Sequence, residues 1–280
     1  MKPGTVFFKM SGSGNDFIVV DGRFAGVADF TPSAIAAACD RRLGIGADGV
    51  ILLDPEAPAG AHFTFRYWNS DGSEGPMCGN GALCATRLAA AIELAPPEGD
   101  VVFATAAGLH RGRVREGRAM IDLPDCPAPR TVEVPLQAGE SVPMFAEPSV
   151  PHLVLQVGDV ETVDVAGRGP TLRFDGLLPP GGANVNWIAA LDDGSWRMRT
   201  YERGVEGETL ACGTGAVACA VVLAATTSAR SPTRLWTRSR MPLDVSWTRR
   251  GGAFTNLSLS GDARTVYKGT AQELVIPTTT

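Results

Sequence analysis

The chain has 280 residues, 44% of them hydrophobic, which exceeds an ordinary single domain and suffices for two packed cores. Its formal net charge of -5, with both signs interspersed, offers no basic face for nucleic acid and no acidic tail. Met1 to Lys9 lacks a charged head followed by a long apolar run, and the longest small-apolar run, Ala216 to Ala225, is too short to span a bilayer, so a soluble cytoplasmic chain with no membrane contact is expected.

Short runs rich in Val, Ile, Phe and Leu, punctuated by Gly, Pro and Asp, predict strands at 5–10 and 15–21, a helix at 32–42, and strands at 48–53 and 62–68. An Ala-rich helix is expected at 80–94, followed by strands at 101–105, 109–115 and 118–123. Pro124, Pro127, Pro129 and Pro135 then break the pattern and mark the domain boundary. Beyond it, strands are expected at 152–157, 184–191 and 196–202, a second Ala-rich helix at 214–228, and strands at 233–237, 243–248 and 252–258.

The two sides of the boundary look alike. Cys78-Gly-Asn-Gly-Ala-Leu-Cys-Ala-Thr-Arg-Leu-Ala-Ala-Ala91 aligns without gaps on Cys212-Gly-Thr-Gly-Ala-Val-Ala-Cys-Ala-Val-Val-Leu-Ala-Ala225. Upstream of each frame, Asn15 to Asp21 and Asn184 to Asp192 each read as an Asn followed by an apolar strand ending in Asp, and are expected to do the same job in each half. Self-similarity on this scale points to a duplicated domain, since a solenoid would repeat at a far shorter period.

Six cysteines, Cys39, Cys78, Cys84, Cys126, Cys212 and Cys219, are too sparse for a disulfide scaffold. None forms a C-x-x-C pair, and His62, His110 and His152 stand apart, so no metal site is expected. Only three lysines, Lys2, Lys9 and Lys268, are available to a Schiff-base cofactor such as pyridoxal phosphate, two of them close to the termini, and Gly44-Ile-Gly-Ala-Asp-Gly49 lacks the spacing of a dinucleotide loop. No cofactor is expected.

In both halves a cysteine stands just before Gly-x-Gly-Ala and a helix, so its sulfur is expected beside backbone N–H groups that the helix does not use. A thiolate is favoured in such a place, and the same N–H groups can hold a carboxylate. Two such helices related by a pseudo-twofold axis would aim two thiols at one crevice between domains. Inverting an amino-acid α-carbon needs that equipment: one group removes a proton while another returns one to the opposite face.

Across nearly the whole chain the residues resemble the diaminopimelate epimerases. The similar blocks are Lys9-Met-Ser-Gly-Ser-Gly-Asn-Asp-Phe17, Arg42-Leu-Gly-Ile-Gly-Ala-Asp-Gly49, Asn69-Ser-Asp-Gly-Ser-Glu74, Cys78-Gly-Asn-Gly81, Pro151-His152, Asn184-Val-Asn186, and Tyr201-Glu-Arg-Gly204 leading to Thr209-Leu-Ala-Cys-Gly-Thr-Gly215. The resemblance implies an α/β (α+β) fold of two pseudo-symmetric domains, each a mixed β-barrel around a central helix. Residues 1–123 plus 262–280 would form the first domain and 124–261 the second.

It also implies that Cys78 and Cys212 are the acid/base pair, with His152 and Glu202 as catalytic auxiliaries. Asn15, Asn69, Asn184, Glu202 and Arg203 would bind substrate, and the backbone at Gly79-Asn80 and Gly213-Thr214 would hold the reacting carboxylate. The expected partner is a small-molecule amino acid, LL- or meso-diaminopimelate, used in making lysine and peptidoglycan precursors. The assembly is left open between monomer and homodimer.

The chain departs from the family pattern at Ser11, Leu83 and Val150 and carries one extra residue, Glu206, before the second cysteine. An apolar Val150 bears on which substrate side chain is accepted. Alternatives are a racemase or epimerase of proline, hydroxyproline or histidine, and a thiol-redox or non-catalytic member of the fold. Isomerases of the phenazine-synthesis type lack paired cysteines.

Overall fold

The computed structural model describes residues 1–75 and 77–273. The chain divides into two compact units: one runs from Met1 to Ile121 and takes back the chain from Gly261, and the other runs from Asp122 to Ser260. Residues 274–280, which the sequence assigns to the first domain, lie outside the described residues.

The first unit opens with a hairpin in which Val6–Gly12 pairs antiparallel with Asn15–Asp21. Its two connecting residues both have positive φ, Ser13 at 53° and Gly14 at 114°, the handedness that matches a twisted two-stranded ribbon. Asn15–Asp21 runs parallel to Gly49–Asp54, which pairs antiparallel with Phe63–Asn69. Phe63–Asn69 then meets Asp100–Thr105 in parallel, and Asp100–Thr105 is antiparallel to Gly108–Arg115. The late strand Arg264–Thr270 returns to Val6–Gly12, antiparallel to it.

Helix α1 (Pro32–Cys39) and helix α2 (Gly79–Ala91) lie on this sheet. The Thr31 side chain caps α1 by accepting from the Ala34 N–H, and Pro32 takes the first helical position, where its missing N–H costs nothing. The helix is shorter than the expected 32–42, because the chain turns at Asp40, whose carboxylate accepts from the Arg42 and Leu43 N–H groups.

The second unit repeats this order. Ser141–Ala146 is antiparallel to His152–Gln156, which is parallel to Asn184–Ala190, itself antiparallel to Trp196–Glu202. Trp196–Glu202 is parallel to Thr233–Trp236, which is antiparallel to Pro242–Arg250. Helix α3 (Val165–Arg173) follows the second strand of the set and helix α4 (Gly213–Thr226) precedes Thr233–Trp236, the places that α1 and α2 hold in the first unit.

Nearly every residue of α2 and α4 is buried, including all of Gly215 to Ala224. Each packs against five or more strands of its own unit, which only small side chains permit from all sides. A helix on the other face completes the burial of the middle strands. Gly49–Asp54 is buried at every position and Asn184–Ala190 at all but the last, so their sequences read as continuous apolar runs rather than alternating ones. The outer cores gather Ile18, Leu52 and Trp68 around Ile35 in one unit, and Leu155, Trp187 and Tyr201 around Leu172 in the other.

Strand register corrects the sequence alignment of the halves. Val50 lies between Ile18 and Trp68, and Val185 lies between Leu153 and Tyr201. Counting from these pairs, Asn184 corresponds to Gly49, Asn15 to Val150, and Asn69 to Glu202. Asn15 and Asn184 therefore sit on different strands of the repeat, and their shared Asn-to-Asp pattern is not the mark of one duplicated strand.

Candidate active site

Cys78 and Cys212 are the N-cap residues of α2 and α4, with nearly the same extended backbone: φ -121°, ψ 123° for Cys78 and φ -130°, ψ 114° for Cys212. The first helical bonds run from Ala82 N to Cys78 O (2.8 Å) and from Ala216 N to Cys212 O (3.0 Å). The N–H groups of residues 79–81 and 213–215 therefore lie ahead of the helical ladder, at the positive end of each helix. Cys78 is half-buried and Cys212 is buried. Further along the same helices, Cys84 and Cys219 are fully enclosed, and burial pushes both thiols well above the ordinary range. Burial likewise raises Cys39 to about 12.

In the first unit the hairpin end packs onto the start of α2, where a Cβ on Gly12 would come within 2.7 Å of Asn80 O. Asn80 is buried and donates to Asn15 Oδ1 at 2.7 Å, while Asn15 Nδ2 donates to Asp48 Oδ2 at 3.1 Å. Behind Asn15 lies a charge network that sequence reasoning left without a role. Lys9 bonds Asp16 (2.6 Å) and the Gly46 carbonyl, and Arg41 bridges Asp16 and Asp48, both at 2.7 Å. Burial alone would raise the Asp16 carboxyl, but hydrogen bonds from Arg41 and Lys9 outweigh it and hold it at about 2. Asn69 accepts from Tyr67 OH at 2.9 Å and donates to Ser73 Oγ at 3.0 Å.

In the second unit a chain of contacts joins His152, Thr214 and Cys212. His152 is wholly buried, with Nε2 3.0 Å from Thr214 Oγ1, which is in turn 3.6 Å from Cys212 Sγ. Asn184 accepts from the Arg203 N–H at 2.8 Å and donates to Pro151 O at 3.2 Å. Burial, reinforced by the nearby Arg203 cation, depresses His152 to about 3, so the ring is neutral at physiological pH. Burial raises the Glu202 carboxyl, opposed by the neighbouring Thr209 side chain.

Sequence reasoning gave Asn186 no role, although the structure places its amide 3.1 Å from His152 Nδ1. The signal was present: Asn184 and Asn186 are two residues apart, hence on one face of a strand buried on both sides. A polar side chain there is costly unless it is bonded. Among the described residues no cluster of three or more His, Cys, Asp or Glu could hold a metal ion, and no helix is long and apolar enough to cross a membrane.

Comparison with known proteins covers both units. The sequence profile described as Diaminopimelate epimerase matches residues 7–119 and 145–272, which include all the candidate site residues. A diaminopimelate epimerase of Gemmatimonas aurantiaca is 48% identical over 78% of this chain and 78% of its own. One from Aquifex aeolicus is 36% identical over 96% of this chain and 99% of its own. A phenazine biosynthesis protein of the PhzF family from Bacillus anthracis has the same fold, with a TM-score of 0.72 over 98% of this chain and all of that one, at 14% identity. With both units matched and relatives 48% and 36% identical over 78% and 96% of its length, the chain belongs to the diaminopimelate epimerase family.

Proposed function

We propose that the chain interconverts LL- and meso-2,6-diaminopimelate by two-base proton transfer at the α-carbon, with Cys78 and Cys212 as the acid/base pair. The observation that carries this reading is the sulfur at the N-cap of a buried helix, present once in each compact unit with the same backbone conformation. We read these units as the duplicated epimerase domains. A thiolate takes the α-proton from one face and a thiol returns a proton to the other, so the centre inverts without a cofactor.

Backbone N–H groups at Gly79-Asn80 and Gly213-Thr214 hold the reacting carboxylate. Its oxygens gain charge as the carbanion forms, so these donors stabilise the transition state more than the bound substrate. Arg203, with Asn15, Asn69 and Asn184, holds the distal amino-acid end. Glu202, whose raised carboxyl keeps a proton longer than an exposed glutamate would, and the neutral His152 orient substrate and thiols. A reducing cytoplasmic setting suits two working thiols.

LL-diaminopimelate incubated with the protein in deuterated water is expected to yield the meso form carrying deuterium at the α-carbon. Cys78→Ala and Cys212→Ala are each expected to abolish inversion, and near-normal turnover in either would remove the two-base mechanism. A panel including proline, hydroxyproline and histidine tests the substrate side chain, on which Val150 bears. Inversion of one of those in place of diaminopimelate would reassign the substrate.

A further inference from the structure

Asn186 is a fully buried amide in the middle of a sheet, and all of its polar atoms are engaged. Its orientation is fixed from two sides: the Leu153 carbonyl, which can only accept, takes a hydrogen from Nδ2 at 3.1 Å, and the Thr200 hydroxyl donates to Oδ1 at 2.9 Å. The second Nδ2 hydrogen points at His152 Nδ1, 3.1 Å away. That nitrogen must then present a lone pair, which places the proton of the neutral ring on Nε2.

Nε2–H faces Thr214 Oγ1 at 3.0 Å. A hydroxyl that accepts there is free to turn its own hydrogen toward the next acceptor, and Cys212 Sγ lies 3.6 Å away. The opposite polarity, with Thr214 donating to His152, would need a proton on Nδ1 aimed straight at the Asn186 NH2 group. Asn184 Nδ2, 3.5 Å from Nε2, has the Pro151 carbonyl as its acceptor.

We propose that Asn186 is a positioning residue for Cys212: its amide confines the His152 proton to Nε2, and the Thr214 hydroxyl thereby becomes a donor to the Cys212 sulfur. The inference rests on Cys212 being one of the two acid/base groups. Such a hydroxyl stabilises the thiolate through a charge-assisted hydrogen bond. Arg203 is the charged side chain felt by His152, and Cys219 is the titratable group nearest Cys212 along α4.

The first unit does not repeat the device. Its residues at the places of Asn186 and His152 are Ile51 and Phe17 by strand register, and Asn80 stands where Thr214 does. The close packing of the site follows the same division. A Cβ on Gly81 would meet Ile51 Cδ1, whereas one on Gly215 would come within 2.6 Å of Asn186 Oδ1 and 3.3 Å of Cys212 Sγ.

The test reads the ring directly. In protein labelled with 15N-histidine, His152 is expected to show a protonated Nε2 and an unprotonated Nδ1 at neutral pH. Asn186→Asp, whose carboxylate accepts at Nδ1, is expected to invert that pattern. Iodoacetamide labelling of Cys212, followed by peptide mass spectrometry in a Cys78→Ala background, is expected to slow five- to tenfold with Asn186→Asp and with Asn186→Ile, which installs the residue of the other half.

A proton on Nδ1 in the starting protein, or an unchanged labelling rate in a folded variant whose ring pattern has inverted, would overturn the proposal. If Asn186→Ile does not fold, Asn186→Asp alone decides. Neither readout needs a substrate, so a failure of the diaminopimelate reading, seen as no inversion by the unmodified protein, is separately visible.

Discussion

Replacing His152 by Gln tests how the second unit holds a buried, uncharged imidazole. The ring is completely enclosed and its pKa falls from the ordinary 6.5 to about 3, through burial first and the Arg203 cation second. An unfolded chain takes up the proton as pH drops below 6.5, while the folded chain refuses it until about 3. The folded state is thus undisturbed above pH 6.5 and loses stability as pH falls from there toward 3. One proton corresponds to about 1.4 kcal/mol per pH unit, so at pH 5 the loss from this residue is roughly 2 kcal/mol.

The assay is urea unfolding between pH 4.5 and 7.5, followed by tryptophan fluorescence. Trp187, Trp196, Trp236 and Trp247 all lie in the second unit, so the signal reports mainly on it. His152→Gln is expected to flatten the acid limb by close to one proton, whatever it does to stability at pH 7.5. Parallel pH dependences in the two proteins would refute the claim that His152 is folded in the neutral form.

Gly215→Ala is expected to lower stability by about 1–3 kcal/mol, the usual cost of overpacking, because the new methyl would press on Asn186 Oδ1, which is pinned by Thr200; a melting curve that does not move would contradict this. Asp48→Ala removes the acceptor for Asn15 Nδ2 and for the Asp16 N–H. Its KM for diaminopimelate should rise about tenfold with a smaller change in kcat, the mark of lost binding rather than lost chemistry; steady-state kinetics would show it. Thr31→Ala deletes the cap of α1 and is expected to cost about 1 kcal/mol in denaturant unfolding without affecting activity.

Much of this protein was legible in the sequence because its signals are local. The Gly-x-Gly-Ala frames announced both central helices and put a cysteine at each N-cap, since capping depends on a few consecutive residues. Middle strands such as Gly49–Asp54 declared themselves by unbroken apolar runs. Helix α3 did not: Val165-Ala-Gly-Arg-Gly-Pro-Thr-Leu-Arg173 has two glycines and an internal proline, and local propensity argues against it. It forms because Asp164 caps it and because Arg168 pairs with the buried Glu140, which also accepts from Trp187. Those partners are remote in sequence.

Ser141–Ala146, interrupted by Pro143, and Arg264–Thr270, with most of its side chains exposed, are strands for a similar reason: each exists through a neighbour it pairs with. The repeated cysteine frames, their helices and the family were decided by residue order alone. Which positions correspond between the halves, and which polar side chains meet, was decided by strand register. A hydrogen-bonded ladder fixes that register through pairings tens of residues apart, and His152, Asn186 and Thr214 become neighbours only once the sheet and its central helix have assembled.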